Sequence, residues 1–250
     1  MHNQLFTEYE DVNAYAVNIY PTKSSNRKIS KAHTPASKPE QNLQTIKLLV
    51  SFDLTEFKKT KITEESTSTG HYRINDQIQY LNTYDYLSDL QEDRYGITLL
   101  TNSKKGSKKD QERLKRRIEE FKDEETTQRE KDLQKSLMQK YDVEEDNIEV
   151  INFEVIENGI WPDQSEFKYS YEYTLNNLIG RIGSNFKIDV GRLIGQQVAL
   201  KKKEMQREYN IWMSFARVIK YELTINIPSG YKVKGLENIV YNVSSACPKT

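Results

Sequence analysis

The sequence predicts an α+β fold in which an antiparallel, β-sandwich-like sheet carries a charged helical insertion. Three observations support this prediction. Apolar and polar residues alternate in residues 167–175 and 219–227, which is the pattern of strands with one buried face. The 250-residue chain contains 16 Tyr against 8 Phe and 2 Trp, and tyrosine suits strands that have one wet face. Residues 104–141 are almost all charged and repeat their few apolar side chains at helical spacing.

The charge balance indicates that the protein has no strong overall electric field. Lys plus Arg and Asp plus Glu number 37 each, and the mean hydropathy is -0.81. Such a chain does not attract nucleic acid, an anionic membrane or an acidic substrate globally, so any basic surface must be local. The single cysteine, Cys247, excludes an internal disulfide and a thiolate zinc site. No apolar run approaches the length of a membrane span, and the N-terminus lacks the pattern of a signal peptide.

Residues 1–70 are predicted to be a segment of N-terminal strands. Residues 12–20 alternate as a first strand. Residues 22–41 form a basic loop rich in Ser, Lys, Thr and Pro, predicted to be a mobile linker because no aromatic residue is interleaved for base stacking; a basic arm for an anionic partner is the alternative. Residues 43–53 resume strand character. Residues 54–69 are predicted to return antiparallel as an edge or water-facing strand, because polar residues dominate them.

Residues 71–145 are predicted to be a helical insertion. The first part approximates a helical stripe that ends near Gly96, which indicates one or two helices. Two later stripes each share a helix face: Leu114, Ile118 and Phe121, then Leu133, Leu137 and Tyr141. No apolar side chain lies between residues 122 and 132, which excludes a stable coiled coil. The pattern predicts either two helices or one long helix docked at both ends.

Residues 146–250 are predicted to be an antiparallel β-sheet region, because short turns separate several alternating stretches. Within residues 147–161, the face predicted to be buried contains Glu149, Ile151, Phe153 and Val155. Residues 167–175 alternate most strictly, and residues 183–185 are predicted to be a hairpin turn. The strand at residues 219–227 is stopped by Pro228, Ser229 and Gly230, and a further strand is predicted to begin at Tyr231.

The sequence indicates no catalytic, cofactor-binding or metal-binding residue. Cys247 and His71 are a conceivable nucleophile and base, but Cys247 lies three residues from Thr250, whereas catalytic cysteines usually open a helix or end a core strand. No two histidines lie within helical reach, and the acidic clusters lack the spacing of a calcium loop. The glycine pairs 180/183 and 191/195 are too sparse to cradle a phosphate and are interpreted as turn glycines.

Three stretches of the C-terminal half resemble a known family: residues 188–197 (IDVGRLIGQQ), 211–217 (IWMSFAR) and 221–237 (YELTINIPSGYKVKGLE). They are similar to the region downstream of the core in Gram-negative bacterial transglutaminase-like envelope proteins, whose core is flanked by domains of unknown function. Residues 12–20 are similar to the segment just after that core. The family core has a cysteine, a histidine and an aspartate that this chain does not supply.

The resemblance implies a non-catalytic, β-rich accessory or protein-interaction domain in the periplasm or at the outer-membrane surface. Its expected partner is another protein or a neighbouring domain of a larger protein, with no nucleic acid, no cofactor and no membrane span in this chain. Two other function classes stay open. A hydrolase or transferase with an unrecognised site requires a concave pocket with convergent polar groups. Nucleic-acid binding requires the basic cluster within residues 104–117 to act despite adjacent acidic residues, which favour an ordinary solvated helix.

Overall fold

A computed structural model describes residues 7–17, 29–52, 59–83, 107–160, 164–194, 206 and 213–236. The α-helices in these ranges are α1 (Gly70–Tyr80), α2 (Lys108–Tyr141) and α3 (Val190–Ile194). The strands are β1 (Asn13–Val17), β2 (Ile29–His33), β3 (Leu43–Phe52), β4 (Lys59–Ser68), β5 (Ile148–Glu157), β6 (Phe167–Asn176), β7 (Ile179–Ile182), β8 (Asn185–Ile188) and β9 (Val218–Ile225).

The largest sheet has five strands in the order β5-β6-β4-β3-β9, and this confirms the predicted α+β class. The β5–β6, β6–β4 and β4–β3 pairs are antiparallel, whereas β9 pairs with β3 in parallel. Two small antiparallel sheets pair β1 with β2 and β7 with β8. Strands from residues 1–70 and from residues 146–250 therefore share one sheet.

The inner face of the sheet holds the core. Alternate residues of β3 and β6 point into it, and the predicted alternation of β6 is confirmed; these buried residues are Ile46, Leu48, Val50, Phe167, Tyr169, Tyr171, Tyr173 and Leu175. Burial of this apolar surface is the main stabilising contribution of the sheet. The outer face carries charged cross-strand pairs such as Lys47 with Glu65 and Lys61 with Glu172, which keep it compatible with water.

The prediction that residues 54–69 form an edge or water-facing strand is wrong for β4. It lies between β3 and β6, at the centre of the large sheet. Its inner positions are all buried although every one except Ile62 is polar: Thr60, Glu64, Ser66 and Ser68. Of these polar positions, Glu64 is neutralised by the Lys140 side chain, which reaches it from α2.

The predicted buried face of β5 is wrong in its first half. The register between β5 and β6 shifts between Val150 and Asn152, so one extra residue is inserted there. Ile148 is consequently buried and Val150 packs against the core, while Ile151 is 50% exposed. Beyond the bulge, Phe153 and Val155 pack against the core as predicted. A β-bulge reverses the faces of a strand without altering its composition, so alternation alone does not reveal it.

The predicted mobile linker is wrong for residues 29–41, which contain β2 and a 3₁₀ turn (Pro39–Gln41). The strand β2 pairs with β1 in a register that places His33 opposite Asn13. Residues 18–20 of the predicted first strand and residues 22–28 of the predicted loop lie outside the described residues. At the other end of the chain, the turn after Pro228 is present, since Tyr231 N donates to Pro228 O at 3.3 Å. The strand predicted from Tyr231 is absent, because residues 231–235 have no regular structure.

The charged segment forms one continuous helix, α2, of 34 residues. Ser107 caps its N-terminus by accepting from the main-chain amide of Asp110, and Asp142 ends it in the left-handed conformation. No side chain before Leu133 is fully buried in this helix, and Phe121 is 45% exposed. The predicted docking at both ends is therefore wrong, since the firm contact is made by the C-terminal turns.

None of the described helices combines the length and apolar content needed to cross a membrane.

Asn42 joins three parts of the fold. Its side-chain amide donates to Ser37 Oγ at 2.8 Å and to the carbonyl of Ala216 at 2.9 Å, just before β9. Its Oδ1 accepts from the main-chain amide of His71, in the first turn of α1, at 2.9 Å. This contact satisfies an amide that a helix N-terminus otherwise leaves without a partner. Asn42 is fully buried, so each of these bonds is shielded from water.

Candidate functional site

A cavity of about 1040 Å³ lies between the inner face of the large sheet, the C-terminal turns of α2, the end of α1 and α3. Its aromatic lining consists of Tyr80, Tyr141, Tyr169, Tyr171 and Tyr221. Its charged lining consists of Glu64, Asp76, Lys140, Asp142, Asp189 and Arg192. A concave space in which aromatic side chains meet convergent polar and charged groups is the default candidate for a ligand site.

The tyrosine wall follows directly from the alternation of β6. Successive inward residues stand side by side, and the Tyr169 and Tyr171 rings stack with centroids 6.0 Å apart at 11°. Tyr80, from the last turn of α1, packs on Tyr169 at 4.6 Å. Aromatic pairs of this geometry add about 0.5–1.5 kcal/mol beyond the area they bury. The wall is therefore a fixed surface.

An ion pair between Glu64 and Lys140 forms part of the cavity wall. Lys140 Nζ lies 2.8 Å from Glu64 Oε2, and only 4% of the Glu64 side chain and 20% of the Lys140 side chain are exposed. The Tyr173 hydroxyl donates to the same carboxylate oxygen at 3.4 Å, and it also bonds to the Tyr141 hydroxyl. Burial disfavours the ammonium, but the charge and hydrogen bond of Glu64 outweigh it and raise the pKa of Lys140. Lys140 therefore stays charged inside the protein.

Asp76 is the second buried carboxyl of the cavity, with 7% of the residue exposed. Tyr80 follows Asp76 by one helical turn, so both side chains project from the same side of α1. Burial raises the pKa of Asp76 to about 7, although hydrogen bonds from Ser68, Gln44 and Tyr169 act in the opposite direction. This carboxyl therefore changes its charge near neutral pH, which is the behaviour required of a general acid or base.

Arg192 closes the cavity at the C-terminal end of α2. Its Nη2 and Nε donate to the carbonyl of Tyr141 at 3.1 and 3.3 Å, and Nη1 donates to the carbonyl of Asn177 at 3.5 Å. The last carbonyls of a helix have no partner within the helix, so the guanidinium completes the end of α2. Asp189 in turn accepts from the main-chain amide of Arg192 at 3.3 Å. The guanidinium of Arg192 therefore has a structural role, because its hydrogen bonds hold main-chain carbonyls of the protein.

Cys247 and His71 are the conceivable nucleophile and base of the sequence, and of these two the described residues include only His71. His71 is 3% exposed, its Nε2 lies 2.7 Å from Glu10 Oε1, and its ring packs 5.1 Å from Phe215. Glu10 also accepts from Ser37 N and Oγ, so this histidine ties the N-terminal segment to α1. Cys247 lies outside the described residues.

The remaining sequence-based interpretations concern a hairpin turn, the basic cluster and metal ligation. Gly183 has a φ of 63° in the turn between β7 and β8, which confirms the predicted hairpin. The described part of the basic cluster, from Lys108 to Arg117, lies exposed on the first turns of α2 beside Asp110 and Glu112, away from the cavity. The described residues do not include residues 84–106, which contain Lys104 and Lys105, or Gly195. Within the described ranges, no group of three or more His, Cys, Asp or Glu is arranged to hold a metal ion.

Sequence reasoning missed Glu64, Asp76 and Lys140. A signal existed for Glu64, because it is in phase with Ile62 and therefore points to the inner face of β4. Lys140 follows Leu133 and Leu137 by seven and three residues, so it lies beside their buried stripe. No pattern joins these three positions to one another, because they meet only through the packing of α1 and α2 on the sheet.

Comparison of the chain with protein-family models, with curated proteins and with solved structures found no match.

Proposed function

We propose that the chain is a non-catalytic, β-rich accessory or protein-interaction domain of a bacterial cell-envelope transglutaminase-like protein. The family and the location in the periplasm or at the outer-membrane surface rest on the resemblance of residues 188–197, 211–217 and 221–237. The interaction role rests on one structural observation, the exposed N-terminal part of α2.

The helix α2 extends far beyond its contact with the core. At about 1.5 Å per residue it is about 50 Å long, whereas a ten-residue strand of the sheet spans about 33 Å. Its buried residues are confined to the last three turns, beginning at Leu133. A helix that is polar almost all round either bridges domains through solvent or is stabilised by charge pairs along its own surface, and the first of these fits an interaction role.

The exposed part of α2 offers a small apolar patch for such a contact. Phe121 is 45% exposed, and Leu114 and Ile118 on the same side of the helix are half-buried. Aromatic anchors surrounded by charged residues are typical of transient protein interfaces. The charged residues around the patch set the orientation of the partner, and the patch supplies the anchor.

Site-specific photo-crosslinking tests this role. A benzophenone amino acid in place of Phe121, introduced into the protein in its native bacterium, is expected to crosslink one defined partner or neighbouring domain in the envelope fraction. The matched control carries the same group in place of Asp123, which is exposed two residues away on the opposite side of α2. Equal crosslinking from both positions, or none from Phe121, contradicts the proposed interface.

A hydrolase or transferase is the second candidate, and the cavity is the observation that favours it. Asp76 supplies a carboxyl that titrates near neutral pH beside the hydroxyl of Tyr169. Chromogenic ester, amide and phosphate substrates distinguish the two candidates. Turnover by the wild type that disappears in Asp76→Asn supports catalysis, whereas absence of turnover, or equal turnover in both, supports the accessory role.

A further inference from the structure

We propose that the cavity between the tyrosine wall and α2 binds a small organic cation that carries a primary ammonium group. This goes beyond the accessory role, which requires no ligand. The space is large enough, because ligand sites usually measure about 300–1,000 Å³ and this one measures about 1040 Å³. The space is open to solvent on one side, so a small ligand can enter it.

The charge of the lining favours a cation. Four carboxylates and two cationic side chains line the cavity, which leaves negative charge in excess. Both cationic side chains have partners in the fold, Lys140 with Glu64 and Arg192 with main-chain carbonyls. Neither is available to an anionic ligand without breaking these bonds. Asp142 and Asp189 are exposed, so water screens their charge, whereas Asp76 is only 7% exposed and the charge of its carboxyl acts more strongly on a ligand.

The cavity wall already accommodates one alkylammonium group. Lys140 Nζ lies 2.8 Å from a carboxylate oxygen of Glu64 and 5.3 Å from the centroid of the Tyr141 ring. A carboxylate and a tyrosine ring are the two groups that attract an ammonium in proteins, by charge and by the negative face of the ring. Asp76 with Tyr80 and Tyr169 repeats this combination next to the Glu64–Lys140 pair, and none of the ion pairs among the described residues includes Asp76.

Asp76 gives this binding a distinctive pH dependence. The groups that face it are Gln44 from β3, Glu64 and Ser68 from β4, Tyr72 and Tyr80 from α1 and Tyr169 from β6. Of these, only Glu64 is an acid of low intrinsic pKa, and it is paired with Lys140. Since the pKa of Asp76 is about 7, the carboxylate that attracts the cation is present above neutral pH and is lost below it.

Calorimetric titration with cadaverine tests the proposal, with 1,5-pentanediol as a neutral probe of the same length. Cadaverine is expected to bind at about pH 8, at least about tenfold more tightly than at about pH 6, and the diol is expected not to bind. Asp76→Asn is expected to weaken cadaverine binding by about tenfold or more and to remove the pH dependence, whereas Asp123→Asn on the exposed face of α2 is expected to leave both unchanged.

Three results overturn the proposal. These are equal binding of cadaverine and the diol, equal binding of cadaverine to the wild type and to Asp76→Asn, and no binding of cadaverine at millimolar concentration at the higher pH. Circular dichroism of each variant shows that it is folded, and Asp76→Asn keeps the shape of the side chain while matching the uncharged state that burial favours. Loss of binding in this variant therefore reports on the carboxylate.

Discussion

Lys140 and Glu64 form an ion pair, 2.8 Å from Nζ to Oε2, that joins the last turn of α2 to the central strand β4. Because Glu64 is almost fully buried, Lys140→Met leaves a carboxylate without its cation and is expected to lower the free energy of unfolding by about 3–5 kcal/mol. Glu64→Gln is expected to cost less, since the Lys140 side chain is 20% exposed and can turn toward water. Urea unfolding at neutral pH measures both.

The double variant and an exposed pair provide the controls. Lys140→Met combined with Glu64→Gln is expected to be more stable than the sum of the single losses predicts, because neither charge is then left alone. Lys59 and Glu149 form a pair at 3.2 Å with side chains 47% and 66% exposed, so Glu149→Gln is expected to change stability by at most about 1 kcal/mol. If breaking either pair lowers the free energy of unfolding equally, the Lys140–Glu64 pair does not behave as a buried ion pair.

Asp76 is expected to make the protein less stable as the pH rises. Its pKa is raised from 3.8 to about 7, so the folded state holds the proton at a pH where the unfolded chain has released it. The resulting stabilisation is complete below about pH 4, declines between about pH 4 and 7 and is absent above, with a total change of roughly 4 kcal/mol. Asp76→Asn removes this decline, so urea unfolding at about pH 5 and 8 should give a smaller difference for the variant. An unchanged difference contradicts the assignment.

Glu10 is expected to hold the β1–β2 hairpin against the sheet. Burial opposes its ionisation, but hydrogen bonds from Ser37 and His71 outweigh this and lower its pKa. The stabilisation is therefore present above about pH 4.5 and lost as the pH falls through the lowered value. Glu10→Gln is expected to cost about 1–3 kcal/mol locally and to speed amide exchange in β1 and β2 while β6 stays protected. Glu8→Gln, at an exposed residue two positions before Glu10, should have no such effect.

Gly70 is expected to tolerate no side chain. Its φ is +59°, and a Cβ there would collide with Asn42 Oδ1 and the main-chain oxygen of Gln41. Gly183 has nearly the same φ, +63°, with open space around it. Gly183→Ala is expected to cost about 1–2 kcal/mol from backbone strain alone, and Gly70→Ala clearly more, because the Asn42 junction must also move. Similar thermal unfolding temperatures for the two variants contradict this account.

The strands that could be predicted from the sequence are those whose face is decided by side-chain alternation alone. In β6, Phe167, Tyr169 and Tyr171 are large and apolar on one side, and no bulge interrupts them, so composition and burial agree. In β5 the bulge after Val150 moves Ile151 out of the core, and nothing in the local sequence marks it. A strand such as β2, exposed along its whole length, has no apolar face to identify it.

The candidate site could not be predicted, because its residues acquire their properties from tertiary contacts. Asp76 is one acidic residue among 37 in the sequence, and its pKa is raised by tertiary contacts, first by burial and then by the nearby charge of Glu64. Glu64 looks like part of a polar, solvated strand until Lys140, 76 residues later, is placed over it. The high charge content of residues 104–141 correctly indicates helix but leaves one or two helices open, and the polar composition of residues 54–69 misplaces β4 at an edge.

The parallel pairing of β3 with β9 has a consequence for how the molecule is made. Ser51 and Asn226, which bond across this pair, are 175 residues apart, so the ribosome must release nearly all of the domain before the sheet is complete. Until then β3 has an open backbone edge beside buried Leu48 and Val50, ready to associate with other nascent chains. Closure of this large loop should therefore limit the rate of refolding, and chaperones that hold β3 during synthesis should raise the yield of native protein.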